Sequence, residues 1–512
     1  MLAPDYLDTL PDAVVALWQQ VEDDILRDIA RRIGKMGEMT ETAVWQAWRY
    51  GQVQACHQDV VSLLAKYSGK SKEAIRQALL DAGLETLARD DELYRTLGFA
   101  PSAIDTNESL NNLLNAGYRQ TLGTWQNLTA TTANTVTGEF ERALDRAWLQ
   151  VSSGAFDYKT AIKRAVDGLA THMNGVTYPS GHKDTLEVAV RRAVLTGTNQ
   201  TCAKLQLARA DEMGCEFVEV TAHAGARPEH ALWQGKIYHR GGAIVYEGVR
   251  YEDFETATGY GTGPGLCGWN CRHNFYPFFP GISVPNYTTE RLATLSAKTV
   301  EYNGKQYTRY EITQMQRALE RQVRKYKRRY LAEASAGVDT TDTAVRLKRC
   351  RQDLAAFTHE TGTRNDSART SVSGFGHSQA SRASALVRKL EKAYNENRKK
   401  VLEQIRSADT PKSLNTGNQR KHIREEGRDL GNRSFLYGTM EDAQQLVDQY
   451  SGTGAPKLDR KGNWTHKEFV TADHLIGESV NPETGVATPT HRFAIHYGKR
   501  GTHVVPMEER KK

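Results

Sequence analysis

The stretch HRFAIHYGKRGTHVVPM, His491 to Met507, sets two histidines on either side of a Gly-Lys-Arg-Gly turn. Phe493, Ile495 and Tyr497 alternate with Arg492, Ala494 and His496, which is the two-residue period of a half-buried strand. A tight turn centred on Lys499 and Arg500 pairs Tyr497 with Thr502, and hence His496 with His503. In that register two imidazoles share one face, with Cβ atoms about 4.5 to 5.5 Å apart. A one-residue slip destroys the pairing. Such a pair has the parts for metal-free RNA cleavage. One neutral imidazole takes the proton of a ribose 2'-hydroxyl, a second acid protonates the departing 5'-oxygen, and a cation stabilises charge on the phosphorus oxygens. Imidazole suits both proton-transfer roles because its ordinary pKa of about 6.5 lies near working pH. The catalytic candidates are His422, His496, His503 and Lys499, with Arg433, Ser434, Arg500 and Tyr497 as substrate contacts. No metal and no cofactor is expected. The alternative is a surface hairpin whose histidines only form hydrogen bonds, and spacing leaves both open.

A second constellation lies in GLCGWNCRHNFYPFFPG, Gly265 to Gly281, where Cys267 and Cys271 precede His273 and where His223, His230 and His239 lie upstream. Zinc accepts thiolate and imidazole, so a knuckle plus a distant histidine is one reading. The spacing is not the usual two-residue one and no second cysteine pair exists, so the reading preferred from spacing is a turn whose buried thiols pack under Trp269, Phe275 and Phe278.

These residues must be held by elements, and the periodicity suggests which. From Asp12 the pattern of Val14, Trp18, Val21, Ile25, Ile29 and Ile33 is an amphipathic helix stopping at Gly34. Similar patterns recur at Glu73 to Leu87, Ser109 to Leu128, Thr137 to Val151, Lys159 to Asn174 and Asp184 to Met213. Around Phe217 the period changes to short apolar runs broken by Gly and Pro, FVEVTAH, KIYH and AIVYEGVRYE, as in a strand-and-loop domain. A helix rich in arginine and lysine follows at ITQMQRALERQVRKYKRRYLAEA, and another at Arg388 to Lys400. Clustered cations of this kind gain affinity for phosphates by counterion release, so packaged DNA is a candidate partner, against a simple solvated face. The expected organisation is a multidomain α+β chain. It has a helical region at 1–215, a strand-and-loop domain at 216–290, a basic helical region at 291–410 with a flexible linker at 361–382, and an α+β domain at 411–512. In the last, NPETG (Asn481 to Gly485) and GKRG (Gly498 to Gly501) mark hairpins.

The 512 residues exceed what one core usually holds, the net charge of +7 is mild for the length, and six dispersed cysteines do not make a disulfide scaffold. Neither a signal peptide nor an apolar run long enough to span a membrane is expected, so the chain is read as made in the cytoplasm.

The block HAGARPEHALWQGKIY (His223 to Tyr238) and the stretch GYGTGPGLCGWNCRHNFYPFFPGIS (Gly259 to Ser283) closely resemble the phage minor capsid protein family, itself similar to the phage Mu F-like head-morphogenesis group. The shared elements are Arg227, Pro228 and His230, then Gly235, then Asn270, Cys271 and Arg272. This resemblance implies a virion protein at the portal vertex, with portal and head proteins as partners and no enzymatic activity of its own. The tail from Asn418 to Pro506, with KHI, GNRSF, VNPETG and AIHYGKRGTHVVP, resembles the polymorphic-toxin type 50 domain. That resemblance implies a ribonuclease-like toxin fold related to barnase, EndoU, colicin and RelE-like enzymes, with RNA as substrate and an immunity protein as a candidate partner. Competing readings are a purely structural head protein with an inert or partner-binding tail and a DNA-binding packaging factor.

Overall fold

The computed structural model describes residues 2–37, 41–104, 106–172, 176–178, 181–424, 430–459 and 462–509. It divides into two compact units, Met1–Ser384 and Ala385–Lys512, with the division inside the helix His377–Arg406.

The first unit is helical at its start. Helix Asp12–Gly34 buries Val14, Trp18, Val21, Ile25, Ile29 and Ile33 as its period requires. Its Trp18 indole donates to Ser71 Oγ at 2.7 Å, on the helix Thr42–Thr96 that contains the expected Glu73–Leu87 segment. The segments expected at Ser109–Leu128 and Thr137–Val151 are one continuous helix, Glu108–Ser152. Three threonines at the junction bond the helix's own carbonyls. Thr131, Thr132 and Thr137 donate to the Asn127, Leu128 and Ala133 oxygens at 2.8, 2.7 and 2.8 Å. Helices Tyr158–His172 and Leu186–Glu212 complete this layer, residues 173–174 of the expected fifth helix lying outside the described residues.

The strand-and-loop segment forms a five-stranded sheet in the order Ile244–Tyr246, Val249–Asp253, Ile237–His239, Phe217–Val220, Phe275–Phe278. Every pairing is antiparallel except Ile237–His239 with Val249–Asp253. Val218, Val220, Tyr238, Phe254, Leu266 and Phe275 share its core. The glycine-rich loop before Cys267 doubles back so closely that a Cβ at Gly265 would stand 1.9 Å from the Gly259 carbonyl oxygen.

The basic helix, Arg309–Ser335, opens with a capping box between Thr308 and Glu311. It does not present a free cationic stripe. Arg328 donates to Glu22 and Asp23 at 2.7 Å each, Arg329 to Asp167 at 2.6 Å, and Arg324 pairs with Glu187. These three arginines neutralise carboxylates of the helices they pack against. The segment expected as a linker, 361–382, contains the short helix Ser367–Thr370 and the first residues of His377–Arg406.

The second unit packs helix Met440–Tyr450 and the end of His377–Arg406 with a four-stranded antiparallel sheet, Ala455–Leu458, Trp464–Thr471, Arg492–Gly498, Gly501–Pro506. A three-stranded sheet, Phe435–Leu436, Gly477–Val480, Ala487–Thr490, lies beside it, and the expected NPETG turn joins its last two strands. Val401 and Ile405 share the core with Val447, Val470, Phe493, Ile495 and Val504, so the unit begins upstream of the change in composition at Pro411. The molecule is mixed α+β with a helical N-terminal region.

Candidate functional site

The hairpin closes in the register that its sequence suggests, with His496 opposite His503, Tyr497 opposite Thr502 and Gly498 opposite Gly501. Gly501 adopts φ 115°, where a Cβ would stand 2.8 Å from the Ser413 carbonyl oxygen. That close approach lets the segment after Pro411 run beside the last strand. Thr502 N donates to Ser413 O at 2.9 Å, and Asn415 N to Thr502 O at 2.8 Å. Gln419, fully buried, then pairs its side-chain amide both ways with the Val504 backbone, accepting at 2.7 Å and donating at 3.2 Å. This anchor holds the short turn Arg420–His422 against the strand and sets the His422 ring parallel to that of His503, centroids 6.0 Å apart and planes 11° apart. The His496 and His503 rings are 4.6 Å apart.

The neighbouring strand adds a residue that sequence reasoning missed. Lys467 pairs with His496, so Lys467, His496 and His503 form one row across three strands, with His422 at its end. Period-two alternation in WTHKEFVT, with Glu468 and Val470 facing the core, was the available signal, but it needed the strand pairing to become specific.

Burial, then His503, then Lys467 push His496 down to about 4. His503 is likewise held at about 4 by burial, then by His422 and Lys421. Burial also lowers His422, followed by the Arg433 and Lys421 charges, while its bond to the Ser434 carbonyl pulls the other way. At neutral pH the row is therefore uncharged imidazole beside lysine. The His422 Nδ1 to Ser434 O contact is 2.8 Å, and since a carbonyl only accepts, Nδ1 carries the proton and Nε2 presents its lone pair.

The other expected contacts separate. Arg433 is exposed near His422, and Ser434 Oγ accepts from Val480 N at 3.1 Å. Lys499 and Arg500 occupy the exposed turn tip, and the charges acting on the paired histidines come instead from Lys467 and Lys421. Tyr497 is corrected outright. It lies on the opposite face, buried, with its hydroxyl donating to the buried Glu468 carboxylate at 2.6 Å. Alternation with His496 already implied this. The REEG part of NQRKHIREEG lies largely outside the described residues, at 425–427.

In the first unit, Cys267, Cys271 and His273 are all buried, and His230 joins the latter two. No helix among the described residues is long and apolar enough to cross a membrane.

Comparison with known proteins agrees with this two-part organisation. Residues 414–506 match the Bacterial toxin 50 family, and residues 2–359 match Phage minor capsid protein 2. The chain is 26% identical over 348 residues to a structural protein of Lactococcus phage LL-H, covering 65% of this chain and 87% of that protein. It is 40% identical over 79 residues to a structural protein of Lactococcus phage mv4, covering 15% of this chain and 55% of the relative. No solved structure matches significantly. With a match running through the helical layer, the five-stranded sheet and the basic helix, the chain belongs to the Phage minor capsid protein 2 family, and it carries a toxin domain at its C-terminal end.

Proposed function

We propose that this virion protein sits at the portal vertex and carries a metal-independent ribonuclease in its toxin domain. The observation that supports the enzymatic reading is the row Lys467, His496, His503 and His422, in which neutral imidazoles stand beside cations on one half-exposed sheet face. His422 Nε2, its tautomer held by the Ser434 carbonyl, takes the proton of the ribose 2'-hydroxyl. The 2'-oxygen forms a bond to phosphorus and the bond to the 5'-oxygen breaks. That oxygen leaves with a proton from the His496 and His503 pair, which acquires one when the phosphodiester anion docks and offsets the lysine charges. Lys467 and Lys421 stabilise the pentacoordinate phosphate. The products are a 2',3'-cyclic phosphate and a 5'-hydroxyl. Arg433, exposed near His422, would hold the adjoining phosphate.

The test is cleavage of a defined RNA in EDTA by residues 385–512, which retain Val401 and Ile405 and so a complete core. Cyclic-phosphate ends are expected. A folded domain that leaves RNA intact, or that cuts only with added metal, defeats the reading. The carrier role is tested separately by mass spectrometry of purified virions, where the protein is expected at low copy and its absence would remove it from the head. Arg324, Arg328 and Arg329 of helix Arg309–Ser335 face carboxylates, so a DNA-packaging reading would rest on the exposed cations between Arg388 and Lys400.

A further inference from the structure

Three metal-ligand atoms from separated parts of the first unit converge beneath the cysteine loop. His230 Nδ1 and His273 Nδ1 lie 3.3 Å apart, and Cys271 Sγ lies 3.8 Å from the first and 3.6 Å from the second. All three side chains are buried, at 1–2% exposure. Cys267 stands outside the group, with its sulfur directed at the His273 carbonyl oxygen at 3.7 Å. The irregular spacing of the two cysteines therefore says nothing about this site, which takes only one of them.

The outer contacts fix which ring nitrogens hold protons. His273 Nε2 lies 3.0 Å from Gln234 Oε1, whose identity as oxygen follows from the His223 backbone N–H donating to it at 3.1 Å. His230 Nε2 lies 2.8 Å from the Pro264 carbonyl oxygen. Both oxygens only accept, so each Nε2 carries the proton and each Nδ1 is bare. Arg227 Nη2, 2.9 Å from His230 Nε2, has the Trp269 carbonyl oxygen at 3.2 Å for its own proton. Two lone pairs thus face each other in a buried space, and the one thiol proton of Cys271 can satisfy only one of them. A cation between them resolves the conflict.

The distances also suit one. Zinc binds imidazole nitrogen at about 2.0–2.1 Å and thiolate at about 2.3 Å, so tetrahedral angles give edges of about 3.3 Å from nitrogen to nitrogen and about 3.6 Å from nitrogen to sulfur. We infer that the minor capsid unit binds a zinc ion through Nδ1 of His230, Nδ1 of His273 and the thiolate of Cys271. The Gln234 and Pro264 oxygens hold the two rings by their outer nitrogens, as carbonyl oxygens do behind the histidine ligands of zinc. Binding displaces the Cys271 proton to solvent. The three ligands border a cavity of about 530 Å³ that is also lined by Arg227, Arg272 and Arg317, and the fourth position is taken from there by water. The ion ties the turn Pro228–Ala231 to the loop entering strand Phe275–Phe278. This inference is independent of the ribonuclease reading.

The experiment is elemental analysis of the full chain, purified without an affinity tag or chelator from zinc-supplemented medium, followed by exchange into cobalt. About one zinc per chain is expected, together with a thiolate-to-cobalt charge-transfer band in the near ultraviolet. Cys271→Ser and His230→Gln should each lose the metal, whereas Cys350→Ser, at a half-buried thiol elsewhere, should keep it. A wild-type chain with neither zinc nor the cobalt band overturns the assignment, as does copper in place of zinc or zinc retained by Cys271→Ser. If the variants fail to fold, the wild-type zinc content and cobalt band decide alone.

Discussion

Two groups of histidines, one in each unit, meet opposite conditions. Those under the cysteine loop are buried and their outer nitrogens are fixed by carbonyl oxygens, so the inner nitrogens converge on a point. Those of the toxin domain are half-exposed, spread along a sheet face and bordered by lysines. The first arrangement suits an ion held permanently; the second suits an anion that comes and goes. The residue type is the same. What differs is burial: the first rings are enclosed with two bare nitrogens facing each other, whereas the second lie along a half-exposed face.

The largest expected effect comes from removing a proton-transfer group in the open row. His422→Ala or His496→Ala in residues 385–512 should lower RNA cleavage by about 10² to 10⁴-fold while circular dichroism is unchanged. If the rate is retained, the row is only a surface and the contrast between the two groups collapses.

Acid should distinguish the groups next. His496 and His503 are held at about 4 in the folded unit against about 6.5 unfolded, so between those values the unfolded chain binds more protons. Stability of residues 385–512 is then full above about pH 6.5 and falls toward pH 4, by at most about 1.4 kcal/mol per histidine per pH unit. Urea titrations at several pH values measure the slope, and a flat profile would place both rings in water. Lys467→Ala should raise the His496 pKa, followed by NMR, by removing a neighbouring charge.

Smaller effects sharpen which side of the sheet matters. Tyr497→Phe removes a donor from the buried Glu468 carboxylate and should cost about 1–3 kcal/mol in urea unfolding while sparing the turnover of folded protein. Lys499→Ala, at the exposed tip, should change the rate by less than about threefold at physiological salt, where an exposed charge is screened. A hundredfold loss there would move the cationic role from Lys467 to the turn.

Much of this was legible in local pattern. The helix from Asp12, the strand character of FVEVTAH, KIYH and AIVYEGVRYE and the His496 to His503 register follow from periodicity and turn chemistry, whereas the strand Phe275–Phe278 lies in the stretch read as a turn. What escaped depends on long-range partners. The arginines of helix Arg309–Ser335 look free in sequence because Glu22, Asp23 and Asp167 lie far upstream. His422 reaches the row only because Gln419 pairs with Val504, and Lys467 only because its strand lies next to His496. The cysteine spacing misdirected attention to Cys267, when the third ligand-type atom comes from His230.

The helix His377–Arg406 sets a rule for exchanging toxin domains between carriers. Val401 and Ile405 complete the second unit's core yet precede the family match that begins at residue 414. A tail swapped at the edge of recognisable similarity would arrive with a hole where two aliphatic side chains belong, about 2 to 5 kcal/mol for Ile405 alone by the usual cost of truncating such a residue. Functional crossovers in related phage genes should therefore fall upstream of the codon for Val401, within sequence that carries no toxin signature.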